Sequence, residues 1–407
     1  MSRQAAGALL HPREFVPLAA LLMSLSALSI DAMLPALPAI GRDFQVSRSN
    51  DLQFVVGAIF LGLGLGQIAI GPLSDRIGRK SAMHAGLAVF IAGCLVSIFA
   101  STFGVMIAGR ILQGIGVSGP RIVTIAVVRD QYRGREMARL MSFVMAVFIL
   151  VPTFAPALGQ GIEWLGGWRA IFATFVAIAA AGSAWFAFRQ PETLPASRRR
   201  PFSPRAVGGT VLEILRIRPA LGYTLARAFA FAPFLAYITS AQQIFQVGYR
   251  TGALFPLWFA VAAVAVGFSL LVNGRLVMRY GMRRLAKGAA AVIALVSVPA
   301  WGLALAFGGL PPFWLFMVYL VVVFSCVGLL FGNLGALAME PLGHVAGAGA
   351  AVIGSVSIFV ALPLGTLVGQ SFDGTMVAQI AAFGVFGGAA FAAIQWAAGS
   401  PGSRAFP

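Results

Sequence analysis

Twelve runs of about 20 apolar residues follow one another along this chain. Each is long enough to cross the roughly 30 Å hydrocarbon layer of a bilayer as a helix. They fall near residues 15–38, 52–73, 81–101, 104–127, 138–161, 167–188, 217–240, 252–275, 286–307, 312–335, 347–370 and 375–397. Backbone groups in lipid have no water to bond, so an open chain spans only as helices that satisfy their own N–H and C=O groups. Composition points the same way: 59% of the 407 residues are hydrophobic and 10% are charged, where a soluble protein carries about 25% charged residues. The predicted fold is an all-α membrane protein of twelve transmembrane helices.

A formal charge of +17 invites a nucleic-acid reading. The charges are placed against it. They cluster between apolar runs: Arg76, Arg79 and Lys80; Arg129, Arg133, Arg135 and Arg139; Arg198, Arg199 and Arg200; Arg275, Arg279, Arg283 and Arg284. With both termini inside, the loops on the outer side hold only Arg42, Arg48, Arg169 and Arg250, and the inner segments hold about 22 Lys and Arg. Such a bias marks cytoplasmic loops. The expectation is a multi-pass protein of the cell's inner membrane with both termini cytoplasmic, the lipid bilayer as its solvent and no nucleic-acid partner. The first apolar run is long and lacks a small-residue cleavage pattern, so it reads as a retained span.

The longest connection, 189–216, is rich in Pro, Ser and Arg and divides the spans six and six. The predicted organisation is an N-terminal six-helix bundle over 1–188, a cytoplasmic linker over 189–216 and a C-terminal six-helix bundle over 217–407. The halves read as repeats. Superposing Gly78 on Gly281 also places Arg76 on Arg279. Gly159-Gln160 at the end of span 5 is echoed by Gly369-Gln370 at the end of span 11, and the same offset sets Asp130 against Glu340. Two related bundles with a substrate site between them near mid-membrane is a known transporter plan.

The most informative string is Gly71-Pro-Leu-Ser-Asp75-Arg76-Ile-Gly78-Arg79-Lys80, between spans 2 and 3. Its Gly and Pro suit a tight helix-to-helix turn, and Asp75 can bond an Arg or a helix N-terminus. Asp130 closes span 4 at the inner face as a partner for Arg76 or Arg79, with Glu340 in that part for Arg279 or Arg283; solvated surface acids are the alternative. In span 1, Asp31 is an acid in hydrocarbon, which costs about 2.5–3.5 kcal/mol on insertion scales. It is of use there if it binds a proton, a cationic substrate or a buried Arg. The alternative is an acid reaching the outer face. Arg110, about six residues into span 4, is either a buried cation or an interfacial one reaching headgroups. Gln113 shares its side. Arg121 is left open between an interior cation and a cytoplasmic anchor, and Arg227 reads as a cytoplasmic snorkeller.

Gly114-Ile-Gly116-Val-Ser-Gly119 matches a dinucleotide fingerprint, but no strand precedes it, and close helix packing explains it, as it does Gly62, Gly64 and Gly66. There is no Walker string. His11, His84 and His344 make no metal set with Cys94 and Cys326. No cofactor, metal or catalytic set is expected. The 33 Phe fit either a cavity for apolar ligands or lipid-facing surface.

The loop between spans 2 and 3 resembles the signature of the major facilitator superfamily, in which it helps lock the cytoplasmic gate. Asp31-Ala-Met-Leu-Pro35-Ala-Leu-Pro38 resembles the first-helix motif of its twelve-helix drug:proton antiporters, in the bicyclomycin and chloramphenicol/florfenicol resistance branch. Arg110-Ile-Leu-Gln113-Gly114 is similar to that branch's buried-arginine motif. Pro152, Pro156, Gly159 and Gly161 in span 5, followed by Gly167-Trp168-Arg169, look like its antiporter helix and the start of span 6. Ala32-Met33 stands where the branch usually has Met-Tyr, and Ala155 and Gln160 stand in place of glycines. The resemblance implies two six-helix bundles in alternating access, with Asp31, Arg110 and Gln113 at the proton or substrate cavity. It also implies Gly71, Asp75, Arg76, Gly78, Arg79, Asp130, Arg279 and Glu340 at the cytoplasmic gate. The function expected is proton-coupled export of small amphipathic or drug-like molecules by a monomer. The alternatives are an uptake symporter for a small metabolite and a non-transport membrane protein.

Overall fold

The computed structural model describes residues 10–132, 134–199 and 204–399, and these are helical with no strand. Arg133 and Arg200 lie outside the described residues, as do the side chains of Arg135, Arg139 and His344. In chain order the helices are α1 (Pro12–Asp31), α2 (Leu37–Asp43), α3 (Gln53–Ile77), α4 (Arg79–Ile98), α5 (Phe103–Gln131), α6 (Gly134–Arg189), α7 (Pro204–Arg216), α8 (Arg218–Gln242), α9 (Phe255–Tyr280), α10 (Met282–Ala306), α11 (Phe313–Met339), α12 (Ala346–Gln370) and α13 (Val377–Ala398).

Among the described residues, eleven stretches are long and apolar enough to cross a membrane. One of them lies in α6, a 56-residue run broken at Gly167, whose φ is 72°. Glycine takes that backbone region without a Cβ penalty. The chain turns there with no intervening loop, so α6 supplies two spans and the total is twelve, as the apolar runs predict. α1 and α2 together make the first span, Arg13–Asp43, which runs further than the predicted 15–38. The prolines at 35 and 38 each start a new short helical stretch, where a missing N–H is tolerated. The segment 189–216 holds a helix, α7.

The chain divides into two compact units: Met1–Phe44 with Ala58–Pro204, and Gln45–Gly57 with Arg205–Pro407. In the first, α4 packs along α5, and α1 packs on α5 and α6. Glycines set these distances. A Cβ on Gly86 would come within 2.9 Å of the Gly116 carbonyl oxygen and of the Gly119 Cα, and one on Gly93 within 2.7 Å of the Gly109 oxygen. Gly62 and Gly114 meet backbone to backbone across α3 and α5 in the same way. In the second unit, α8 packs on α11, α12 and α13, α9 on α11, and α10 on α11 and α13. Rings fill that unit: Tyr237 lies edge-on to Phe324 (4.7 Å between centroids), and Phe234 meets both Phe324 (5.3 Å) and Phe331 (5.4 Å).

Candidate functional site

The site begins with a break in the first span. Pro35 has no N–H to offer the Asp31 carbonyl one helical turn back, and its ring would crowd that carbonyl. α1 therefore stops at Asp31. Ala32 and Met33 form a turn, and a 3₁₀ turn over Leu34–Ala36 leads into α2. Asp31 is 5% exposed. Among the described residues its carboxyl makes no hydrogen bond or ion pair. The acid is thus largely buried, with no partner among the described residues.

A helix leaves its last four carbonyls without partners of its own. The guanidinium of Arg110 takes one of them. Arg110 is fully buried, and its Nη2 donates to the Ser29 carbonyl oxygen at 2.7 Å. Its Nη1 donates to Gln113 Oε1 at 2.7 Å, and its Cζ lies 5.7 Å from the Phe172 ring centre. Gln113 Nε2 in turn donates to Ser97 Oγ (3.1 Å) and to the Gly93 carbonyl oxygen (3.3 Å). Arg110 is a buried cation, then, and not an interfacial one. It is pinned to the end of α1 two residues before Asp31, by a carbonyl and not by the carboxylate.

The antiporter-like motif of span 5 meets the same break. Pro152 and Pro156 lie inside α6. Gly159 packs so closely on Ala32 that any Cβ there would overlap the Ala32 carbonyl oxygen, whereas a Cβ on Gly161 would meet open space. The structure thus brings together Asp31, Arg110, Gln113 and Gly159.

A second cluster forms at the junction of α3 and α4. Gly71 and Pro72 lie inside α3; the turn is made by Gly78 alone, at φ 96°. Arg79, 5% exposed, donates from Nη1 to Asp75 Oδ1 (2.6 Å) and Ser74 Oγ (2.7 Å), and from Nε to Asp130 Oδ2 (2.9 Å). Arg76 is exposed and joins none of these. Sequence reasoning missed Glu192. Its Oε1 accepts from the backbone N–H of Arg79 (2.9 Å) and of Leu194 (2.9 Å), and its Oε2 from Lys80 N (3.1 Å). A carboxylate on the exposed N–H groups of a helix start is favourable both as hydrogen bonds and against the helix dipole. The one available signal was an acid just past a span, in Gln190-Pro191-Glu192-Thr193.

The equivalent turn in the second unit is looser. Gly281 again has a positive φ, 77°. Arg283 reaches Glu340 at 3.7 Å, and Arg279 is exposed, lying 5.3 Å from the Tyr280 ring centre. Each of these ion pairs joins helices of one unit. Arg121 and Arg227 are half-buried.

Within the second unit a chain of amides was also missed. Gln53 Nε2 donates to Gln243 Oε1 (2.7 Å) and to the Gly369 carbonyl oxygen (2.9 Å). Gln243 Nε2 donates to Asn50 Oδ1 (2.8 Å), and Gln370 Nε2 to the Asn50 carbonyl oxygen (2.7 Å). The described residues hold no cluster of His, Cys, Asp and Glu able to bind a metal.

The family model described as Major Facilitator Superfamily matches residues 19–366. The chain is 26% identical over 355 residues to a bicyclomycin resistance protein homolog of Haemophilus influenzae, covering 87% of this chain and 88% of that one. It is 29% identical over 303 residues to a chloramphenicol resistance protein of Pseudomonas aeruginosa, covering 72% and 70%. Its fold is like that of a D-xylose–proton symporter of known structure, with TM-score 0.76 at 16% identity, over 96% of this chain and 98% of that one.

Proposed function

The chain belongs to the Major Facilitator Superfamily, and on that premise we propose that it exports drug-like amphipathic molecules in exchange for protons. As a member it is a multi-pass membrane transporter and not an enzyme. The names of its relatives, bicyclomycin and chloramphenicol resistance proteins, support drugs as the cargo.

One observation carries the coupling: a carboxyl group 5% exposed and without a partner sits at a break in the first span. A buried charge with no partner is costly. The group therefore calls for a proton or a cation as its companion, and exchanging one for the other is the elementary step of antiport. Arg110 holds the end of α1 through the Ser29 carbonyl and leaves that carboxyl uncommitted. Gly159 lets the span 5 backbone touch the break, so a change at Asp31 reaches the neighbouring helix directly.

In the cycle, a proton from outside neutralises Asp31 and displaces the substrate. Return to the inward-facing form releases the proton and admits new substrate. A membrane potential of 100 mV contributes about 2.3 kcal/mol per charge, and one pH unit about 1.4 kcal/mol. The bundles 1–188 and 217–407 move as the two halves, joined by the linker 189–216. The cytoplasmic clusters around Arg79 and around Glu340 stiffen the inner end of each. The protein acts as a monomer in the inner membrane with both termini in the cytoplasm.

The test is expression in a pump-deleted, drug-sensitive bacterium, challenged with phenicols, bicyclomycin-like compounds and cationic dyes. Resistance and drug-dependent proton movement in inverted vesicles are expected, and Asp31→Asn is expected to abolish the proton movement. Proton-coupled efflux that persists in Asp31→Asn would refute the assignment of Asp31. Sensitisation in place of resistance would point to uptake.

A further inference from the structure

The linker helix α7 carries a surface that the transport cycle does not use. One face of it turns inward: Ile214 is 1% exposed and Thr210 is buried. On the opposite face Arg205, Gly209, Leu212 and Arg216 fall at helical spacing, with Leu215 beside them, and all five are exposed. The two leucines are roughly half exposed, at 46% and 49%. The helix has a single acid, Glu213, at the edge of this stripe.

The depth of α7 is fixed by its junction with α8. Only Ile217 separates the two helices, and the extended backbone there (φ −88°, ψ 101°) turns α7 off the α8 axis. Arg218, the first residue of α8, donates from Nε to the Trp396 carbonyl oxygen (2.9 Å) and lies 5.1 Å from that indole ring. Trp396 is at the end of the last span and partly exposed. A tryptophan at a span end sits at headgroup depth. The C-terminal end of α7 is therefore held at that depth. Its 13 residues, about 20 Å of helix, leave at an angle from there.

We propose that the exposed stripe of α7 docks on the acidic phospholipid headgroups of the cytoplasmic leaflet, with Arg205 and Arg216 on phosphates and Leu212 and Leu215 among the upper acyl carbons. The charge is complementary: Arg205 and Arg216 are both exposed on the stripe. Arginines at the two ends of a face with leucines between them suit an interface that is ionic above and apolar below. The leaflet assignment rests on the orientation proposed above; the contact itself does not depend on drug export.

The experiment uses the full chain with Cys94→Ala and Cys326→Ala and a nitroxide at Leu212→Cys, in nanodiscs of phosphatidylcholine with or without phosphatidylglycerol. With phosphatidylglycerol, oxygen is expected to relax the label more than a water-soluble nickel chelate does. Arg205→Gln with Arg216→Gln should return the label toward the chelate, and each arginine lost should weaken phosphatidylglycerol binding roughly fivefold. The paired Lys substitutions should keep the contact. A label equally open to the chelate in both lipids overturns the proposal. In unlabelled protein, a thermal shift on adding phosphatidylglycerol that is the same for wild type and the double-Gln variant overturns it too.

Discussion

Both units use glycine contacts, as at Gly86 and Gly365, and ring contacts, as at Phe172 and Phe324; they differ in the charge they bury. Among the described residues, the buried charged side chains are Asp31, Arg79 and Arg110, and all three lie in the first unit. That unit closes its helices with glycines, backbone against backbone, at α3–α5, α4–α5 and at Gly159 on Ala32. Among its described residues the second unit buries uncharged polar groups, such as Ser240, Gln242 and Gln243 near the end of α8, and its rings cluster around Phe324. The difference has a physical reason. A guanidinium away from water needs acceptors within reach: Arg79 finds them on Asp75, Ser74 and Asp130, and Arg110 on the Ser29 carbonyl and Gln113 Oε1. An interior without charge has no such need.

If that contrast is right, the units fail in different ways. The largest effect expected is from Phe324→Ala, which removes the ring shared by Phe234, Tyr237 and Phe383. A loss of about 3–5 kcal/mol is expected, as for other aromatic truncations in a core, read as a fall in the unfolding midpoint in detergent. Next comes Arg110→Met, of similar length but without donors. It leaves the Ser29 carbonyl and the Gln113 amide short of a partner and should cost about 3 kcal/mol. If Arg110→Met is neutral, the Ser29 and Gln113 bonds do not stabilise the end of α1.

Gly116→Ala puts a Cβ onto the Phe90 backbone and should cost about 1–3 kcal/mol, as overpacking does. Gly288→Ala, on α10 of the second unit, meets open space and should stabilise by about 0.5–1 kcal/mol through helix propensity. Equal effects from these two methyls would show that the nearness of the facing backbone does not set the cost. The smallest effect is from Glu192→Gln, which weakens the cap on α4 by about 1 kcal/mol. Faster amide exchange at Arg79 and Lys80 is the sign to look for.

Some of this site was readable along the chain. Pro35 announces the break after Asp31, Gln113 follows Arg110 by one turn, and Gly78 and Gly281 mark matching turns. The choice between Asp75, Asp130 and solvent for Arg79 was not readable, because both acids turned out to bind it at once. Arg76, which the motif makes equally prominent, is left in solvent. Glu192 is marked only as an acid just past a span, and the amides of Asn50, Gln53 and Gln243 bear no mark, since such residues are common in loops.

The sequence by itself determined that this chain crosses the membrane twelve times in two echoing halves. The length of an apolar run and the position of a proline act locally, through hydrogen bonds a helix makes with itself. Only the tertiary structure decided that Arg110 is interior, that it holds a carbonyl of α1 instead of the acid, and that Gly159 rests on Ala32. Those facts depend on which helices lie side by side, and lipid, equally apolar on every face, writes no rule for that into the sequence.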